Sequence, residues 1–388
     1  MMVDRLRPHA QTIFAEVSEA AVRHGAINLG QGFPDTDGPA GMLEVAAEAI
    51  TGGGHNQYPP GRGTPELRAA VARQVLRDQG LSYDPDGEII ATVGATEGIA
   101  AALLGLVEPG EGVVLIEPYY DSYSAVVDLA GARKLTVPLV PADGGFALDR
   151  DALAAACARK GTSAVIVNSP HNPTGAVLSE GDLEAIAAQC REHGIVAISD
   201  EVYEHLVYDG REHRSIAELP GMRERTLRVS SAAKSFNCTG WKVGWVTGPA
   251  SLVEGALAAK QYLSFSAGTP LQLAVAHALD HERAWISELR DSLAHRRGVL
   301  RGALEDAGFA VSRGEGTYFL LADPRGLGIE DGAELCRRMP AEIGVAAVPL
   351  TPFVDAASAP DWRHLVRFAF CKRVDVLAEA GELLRRLG

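Results

Sequence analysis

Between residues 88 and 250 the chain alternates short apolar runs with longer Ala-rich amphipathic stretches, and this alternation restricts the fold more than any other feature. The runs at 88–93, 113–116, 135–139, 164–167, 195–198, 227–230 and 243–247 have strand length and are mostly Val- and Ile-rich, whereas 97–106, 121–130, 150–159 and 180–193 read as helices. A strand that is apolar along its whole length must be covered on both faces, and helices between successive strands supply that cover. The pattern therefore predicts an α/β unit built on a mostly parallel, seven-stranded sheet.

The texture changes after residue 285. A long charged helix, roughly 282–307, precedes strand-like runs at Tyr318–Leu321, Val345–Val348 and Leu365–Phe370. The first 40 residues lack the strand–helix alternation and are expected to join this second unit. A chain of 388 residues exceeds one ordinary core. The expected division is an N-terminal segment 1–40, a large domain 41–285, and a small α+β domain 286–388 drawn from both chain ends.

A formal charge of −14 speaks against a nucleic-acid or anionic-membrane partner, since both demand a basic surface. No apolar run approaches the ~20 residues of a membrane span, and no secretory leader is visible at the N-terminus. Cys157, Cys190, Cys238, Cys336 and Cys371 are scattered, odd in number and free of any C-x-x-C pair. They read as reduced thiols in a cytoplasmic protein without a metal site.

In open α/β sheets ligands sit beyond the carboxyl ends of the strands. Here three successive strands end in chemistry: V-I-V leads to Asn168 and N-S-P-H-N-P-T-G, I-V-A-I-S to Asp200, and L-R-V-S to Ser231 and Lys234. An amide, an acid and an amine thus converge. Lys234 has small residues before it and few charges around it, a setting that lowers an amine's pKa and makes it nucleophilic toward an aldehyde. The strand at 88–93 runs through G-A-T-E-G into a helix, where the N–H groups of Ala95 and Thr96 either meet an anion or simply close a tight turn.

Taken together, N-L-G-Q-G-F-P-D (28–35), N-Q-Y (56–58), T-V-G-A-T-E (92–97), E-P-Y-Y-D-S-Y (117–123), N-S-P-H-N-P-T-G (168–175), S-D-E-V-Y-E-H-L (199–206), S-S-A-A-K-S-F-N-C-T-G-W-K-V-G-W (230–245) and V-R-F-A-F (366–370) resemble the fold-type I, class I/II aminotransferases from Arg5 to Arg373. Within that family the chain is similar to the kynurenine and methionine branch. It also resembles actinobacterial N-succinyldiaminopimelate aminotransferases, through S-A-A-K-x-F-N-C-T-G-W-K, G-T-Y-F-L-x-A-D-P-R and F-C-K-R.

The resemblance implies pyridoxal 5'-phosphate as cofactor and gives each matching residue a role. Lys234 resembles the Schiff-base lysine and proton shuttle, and Asp200 the partner of the pyridinium nitrogen. Tyr203 and Asn172 resemble the pair on the ring hydroxyl oxygen, and Tyr120 the aromatic stacked on the ring. Ala95, Thr96, Ser231 and Lys242 look like the phosphate cup, and Tyr58 like the tyrosine that reaches the neighbouring subunit's phosphate in a homodimer. Arg367 resembles the clamp on the substrate α-carboxylate, completed by Gly32 and Asn168, with Phe14 over the substrate. Some kynurenine enzymes carry a tyrosine where this chain has Thr96, and Cys238 reads as a packing residue.

The implied reaction moves an amino group between an L-amino acid, glutamate for preference, and an oxo acceptor, with N-succinyl-2-amino-6-oxopimelate favoured over kynurenine-, glutamine- or methionine-type partners. Two other enzyme classes fare worse. Ser231-Ala232-Ala233-Lys234 fits S-x-x-K, but the S-D-N and K-T-G of those acyl-transfer enzymes are missing. Neither Gly30-Gln31-Gly32 nor Gly61-Arg62-Gly63 extends to the third glycine of a dinucleotide fingerprint. A non-catalytic regulator would be expected to carry a DNA-binding domain.

Overall fold

The computed structural model describes residues 2–142 and 144–387. Its large sheet is built from β1 (Ile89–Val93), β2 (Gly112–Glu117), β3 (Arg133–Ala142), β4 (Gly145–Leu148), β5 (Thr162–Asn168), β6 (Val196–Asp200), β7 (Thr226–Ser231) and β8 (Val243–Thr247). Their order across the sheet is β1-β8-β7-β6-β5-β2-β3-β4. The central pairs β7–β6, β6–β5, β5–β2 and β2–β3 are parallel, while β8 runs antiparallel to both its neighbours. All seven expected strands are present. The eighth, β4, is a hairpin return of β3 at the sheet edge, with Ala142 opposite Gly145 and Leu139 opposite Leu148; four residues that begin on a glycine are too short a run to register as a strand.

The expected double cover exists. Ile90, Leu115, Ile166, Ile198 and Val229 pack under the helix Gly94–Leu106, whereas Val114, Val165 and Ala197 face the helices Arg150–Cys157 and Glu180–His193. These helices are bounded where local chemistry sets them. Ser179 accepts from the Asp182 N–H at the start of Glu180–His193, and Gly194 closes it in the left-handed region at φ 68°.

A second, antiparallel sheet is formed by β9 (Ala310–Val311), β10 (Phe319–Asp323), β11 (Val348–Pro349) and β12 (Val366–Ala369), in the order β9-β10-β12-β11. The run expected as one strand over 345–348 is divided. Val345–Ala346 pairs in parallel with Ile27–Asn28, and only Val348 continues into the sheet. The N-terminal helix Ile13–His24 places Val17 and Ala21 against Leu321, Ala346 and Val348, so the chain's beginning packs with its end. Gly30 sits in this seam, where an added Cβ would lie 2.8 Å from Val17 and 2.9 Å from Val348.

Candidate active site

The carboxyl ends of β5, β6 and β7 open into a cavity of about 340 Å³, roofed by residues of the second sheet and the N-terminal segment. Phe14, Gly32, Ala95, Thr96, Tyr120, Asn168, Asn172, Asp200, Tyr203, Ser231, Lys234, Lys242 and Arg367 all line it. Of the residues expected to hold cofactor or substrate, Tyr58 alone lies elsewhere. It is 86% exposed and packs edge-on against Phe265, with ring centroids 5.8 Å apart.

The strand ends are joined by a chain of polar contacts. The Asn168 amide donates to the Asp200 carbonyl at 3.0 Å, and its oxygen accepts from the Asn172 N–H at 2.8 Å. Asn172 Oδ1 in turn accepts from Arg367 at 2.8 Å, and Arg367 also donates to the Gly30 carbonyl at 2.9 Å. The Arg367 guanidinium lies over Phe319 at 3.9 Å, with Phe353 and Phe14 at 5.0 and 5.2 Å. Its Nε is buried without a partner, a donor aimed at nothing in the chain itself. Burial lowers this side chain to about 10, which leaves it charged at neutral pH.

Asp200 is buried, and that burial pushes its carboxyl up to about 6 against the Tyr123 hydroxyl, the Val202 N–H and Lys234, which favour the anion. Tyr123 donates to Asp200 Oδ2 at 2.5 Å. Lys234 stands on a short turn, Ala232–Ser235, directly after β7, with its ammonium 5.8 Å from the Tyr203 ring centre and 5.4 Å from that of Tyr318. Burial lowers Lys234 to about 8, with Lys242 and Arg367 adding repulsion and Cys371 and Asp200 opposing it. A fraction of the free amine is therefore available near neutrality, as attack on a carbonyl requires.

The opposite end of the cavity is shaped for an anion. Gly94 takes φ 71° and opens the helix Gly94–Leu106, whose first turn presents Ala95 and Thr96. A Cβ on Gly94 would stand 3.1 Å from Lys242 Cε and 3.2 Å from its Nζ, so the missing side chain is what lets the ammonium reach the helix start. Lys242 itself is held at φ 54°, left-handed for a non-glycine residue. Gly244, opposite Ser231 in the sheet, lets Gly94 approach; a Cβ there would meet the Gly94 carbonyl carbon at 2.6 Å.

Two tyrosines escaped the sequence reading. Tyr123 lies three residues after Tyr120 on the helix Asp121–Leu129, the spacing that puts both on one face, and their rings meet edge-on at 5.7 Å. Tyr318, within G-T-Y-F-L, donates to the Gly32 carbonyl and packs edge-on against Tyr203 at 5.3 Å. Cys238 is buried, donates to the Ala232 carbonyl at 3.4 Å and packs with Phe236 and Val243.

An amine, a buried acid, an anion cradle and a guanidinium with a free donor around one cavity fit pyridoxal phosphate together with an amino acid. Fold and site thus define a pyridoxal-phosphate-dependent transferase of fold type I. Residues 24–373 match the family model for aminotransferase class I and II, and the chain belongs to that family. It is 58% identical, over all of its length and 98% of the other's, to a Mycobacterium tuberculosis protein described as "Probable N-succinyldiaminopimelate aminotransferase DapC". It is 39% identical to the methionine aminotransferase of Escherichia coli, over 97% and 96% of the two chains. The solved N-succinyldiaminopimelate aminotransferase of Mycobacterium tuberculosis superposes with a TM-score of 0.98 over the whole of both chains. The protein is a pyridoxal-phosphate-dependent aminotransferase acting on small amino and oxo compounds.

Proposed function

We propose that the protein transfers the amino group of glutamate to N-succinyl-2-amino-6-oxopimelate. The observation that carries this reading is similarity at 58% identity across the whole chain to a relative of that description. Pyridoxal phosphate, when bound, would supply an electron-accepting ring. Lys234 would hold the cofactor covalently and move the proton at the substrate α-carbon. Asp200, held in place by the Tyr123 hydroxyl, would keep the ring nitrogen protonated. Asn172 and Tyr203 would bind the ring hydroxyl oxygen, with Tyr120 against the ring. Ala95, Thr96, Ser231 and Lys242 would hold the phosphate, and Arg367 would take the α-carboxylate beside Gly32, Asn168 and Phe14.

The same reading assigns residues 41–285 to a large cofactor-binding domain and 1–40 with 286–388 to a smaller one. It makes the protein a cytoplasmic homodimer in which Tyr58 completes the neighbour's phosphate site. Buried free cysteines support a reducing compartment. Tyr58, Tyr262, Leu263 and Phe265 expose 86, 86, 52 and 46% of their surface on adjoining loops, an apolar area that a second copy would cover.

An aromatic lining of Phe14, Phe33, Tyr120 and Phe319 favours, as the second reading, an apolar amino acid such as methionine or kynurenine. Steady-state rates over a panel of donors and acceptors separate the two. N-succinyl-2-amino-6-oxopimelate with glutamate should give the highest kcat/KM; a preference of about tenfold, or ~1.4 kcal/mol, for kynurenine or methionine would transfer the assignment.

A further inference from the structure

Asp200 and the residues on either side of it point to opposite faces of the sheet, because successive side chains along a strand alternate. Asp200 lines the cavity, while Ser199 and Glu201 turn to the reverse face, where Ser199 is in register with Arg228 of β7 and Arg228 with Thr247 of β8. On that face a closed polar cluster lies directly behind the acid. Arg228 donates to Glu201 Oε2 through two nitrogens at 2.7 and 2.9 Å, to Glu204 Oε2 at 3.3 Å, to Ser215 Oγ at 3.2 Å and to Thr247 Oγ1 at 3.4 Å. Glu201 Oε1 accepts from Ser199 and Ser215 at 2.7 and 2.6 Å, and Glu204 Oε1 from Ser230 at 2.7 Å. Gln79 adds donations of 3.3 and 3.1 Å to the two carboxylates, and His213 meets Glu201 at 3.2 Å.

Arg228, Glu201 and Glu204 are all buried. Glu201, Glu204 and His213 bring ligand atoms within 4.8 Å of one another, as a metal site does, but the guanidinium of Arg228 already takes the central position. The cluster therefore has the geometry of an internal counter-charge. Its two carboxylates belong to the turn that carries Asp200 and Tyr203 toward the cofactor.

We propose that Arg228 is a positioning residue for catalysis: by pairing with Glu201 and Glu204 and offsetting one of their two charges behind the sheet, it keeps Asp200 ionised in front of it. This inference rests on the role given to Asp200 above. The groups facing Asp200 are Tyr123 and Tyr120 from the helix side, Tyr203 on its own turn, Lys234 after β7, and Glu201 behind. Those facing Arg228 are the two glutamates, His213, and Tyr83, over whose ring Arg223 sits at 4.6 Å. Glu201 is the like charge next to Asp200 and raises its carboxyl. Burial would raise Glu201 as well, and Arg228 together with His213 outweighs that and holds Glu201 well below the usual carboxylate range. Loss of Arg228 leaves Glu201 and Glu204 with His213 as their remaining basic neighbour, so Asp200 faces an uncompensated like charge at every pH where either carboxylate stays ionised, while loss of the Glu201 charge relieves it.

The test compares the holoenzyme with Arg228→Met, Arg228→Lys, Glu201→Gln and Asp200→Asn. Two readouts are followed from pH 4 to 9: the dissociation constant of pyridoxal phosphate and the acid limb of kcat/KM. In Arg228→Met the acid-side midpoint should move up by about one pH unit, and in Glu201→Gln it should move down. Arg228→Lys, which keeps the charge without the fork, should stay near wild type. Opposite shifts distinguish electrostatic control from simple loss of packing, which would weaken both variants in the same sense. Midpoints that shift together, or not at all, overturn the proposal. Should Arg228→Met fail to fold, Glu201→Gln and Arg228→Lys still decide it. If Asp200→Asn leaves the acid limb in place, the role of Asp200 itself fails and this inference with it; if Asp200→Asn abolishes the limb and the other variants do not move it, only the inference falls.

Discussion

At Asp200 stability and function pull in opposite directions. The carboxyl is buried, and in the cofactor-free protein burial carries it from 3.8 to about 6. A raised folded-state value favours the folded protein fully only below 3.8, and that advantage is lost as pH rises through 6. At pH 8 the protein without cofactor therefore carries a penalty on the order of 3 kcal/mol at this residue. Asp200→Asn should accordingly unfold later than wild type at pH 8 without cofactor and show little gain at pH 4, by chemical denaturation, while catalysing very slowly with cofactor bound. Lys234→Ala should keep its fold and lose both turnover and covalently held cofactor; near-normal steady-state rates in the purified variant would remove Lys234 from the assignment. The sequence marked Asp200 because it ends a strand and Lys234 because it follows one closely among small residues, and it left Tyr123 unmarked because a tyrosine on a helix declares its partner only when the helix docks.

The helix Gly94–Leu106 is placed by glycines at both ends. At the first, φ 71° and the approach of Lys242 require Gly94. Gly94→Ala should retain the fold with a backbone penalty of ~1–2 kcal/mol and hold pyridoxal phosphate at least about tenfold more weakly, measured by equilibrium dialysis. At the other end Gly105 crosses the helix Ala250–Lys260, where an added Cβ would stand 2.1 Å from the Gly255 carbonyl oxygen, backbone against backbone. Gly105→Ala should lower unfolding free energy by about 2–3 kcal/mol with cofactor affinity in the folded fraction little changed, because the strain falls away from the cavity. The helices and buried strands were legible from period and composition. The edge strand Gly145–Leu148 and the division of 345–348 were not, since a run of two to four residues becomes a strand only when a neighbouring strand offers its hydrogen bonds.

For the molecule as a whole, the exposed ring of Tyr58 and its neighbours Tyr262 and Phe265 predict a dimer by sedimentation at micromolar concentration. Tyr262→Asp with Phe265→Asp should shift the protein toward monomer and loosen cofactor retention; a fully active wild-type monomer would contradict the shared site. By itself the sequence determined the alternation of elements, the residue types at the strand ends and the family, because hydrophobic period and local turn chemistry act over a few residues. Tertiary structure decided the rest: that Arg367, far along the chain, closes a polar relay running from Asp200 through Asn168 and Asn172 to Gly30; that Tyr318 reaches Gly32; and that Arg228 stands behind Asp200. Such pairings join residues tens to hundreds apart, and only the register of neighbouring strands and the packing of both chain ends over the sheet fix which side chains meet.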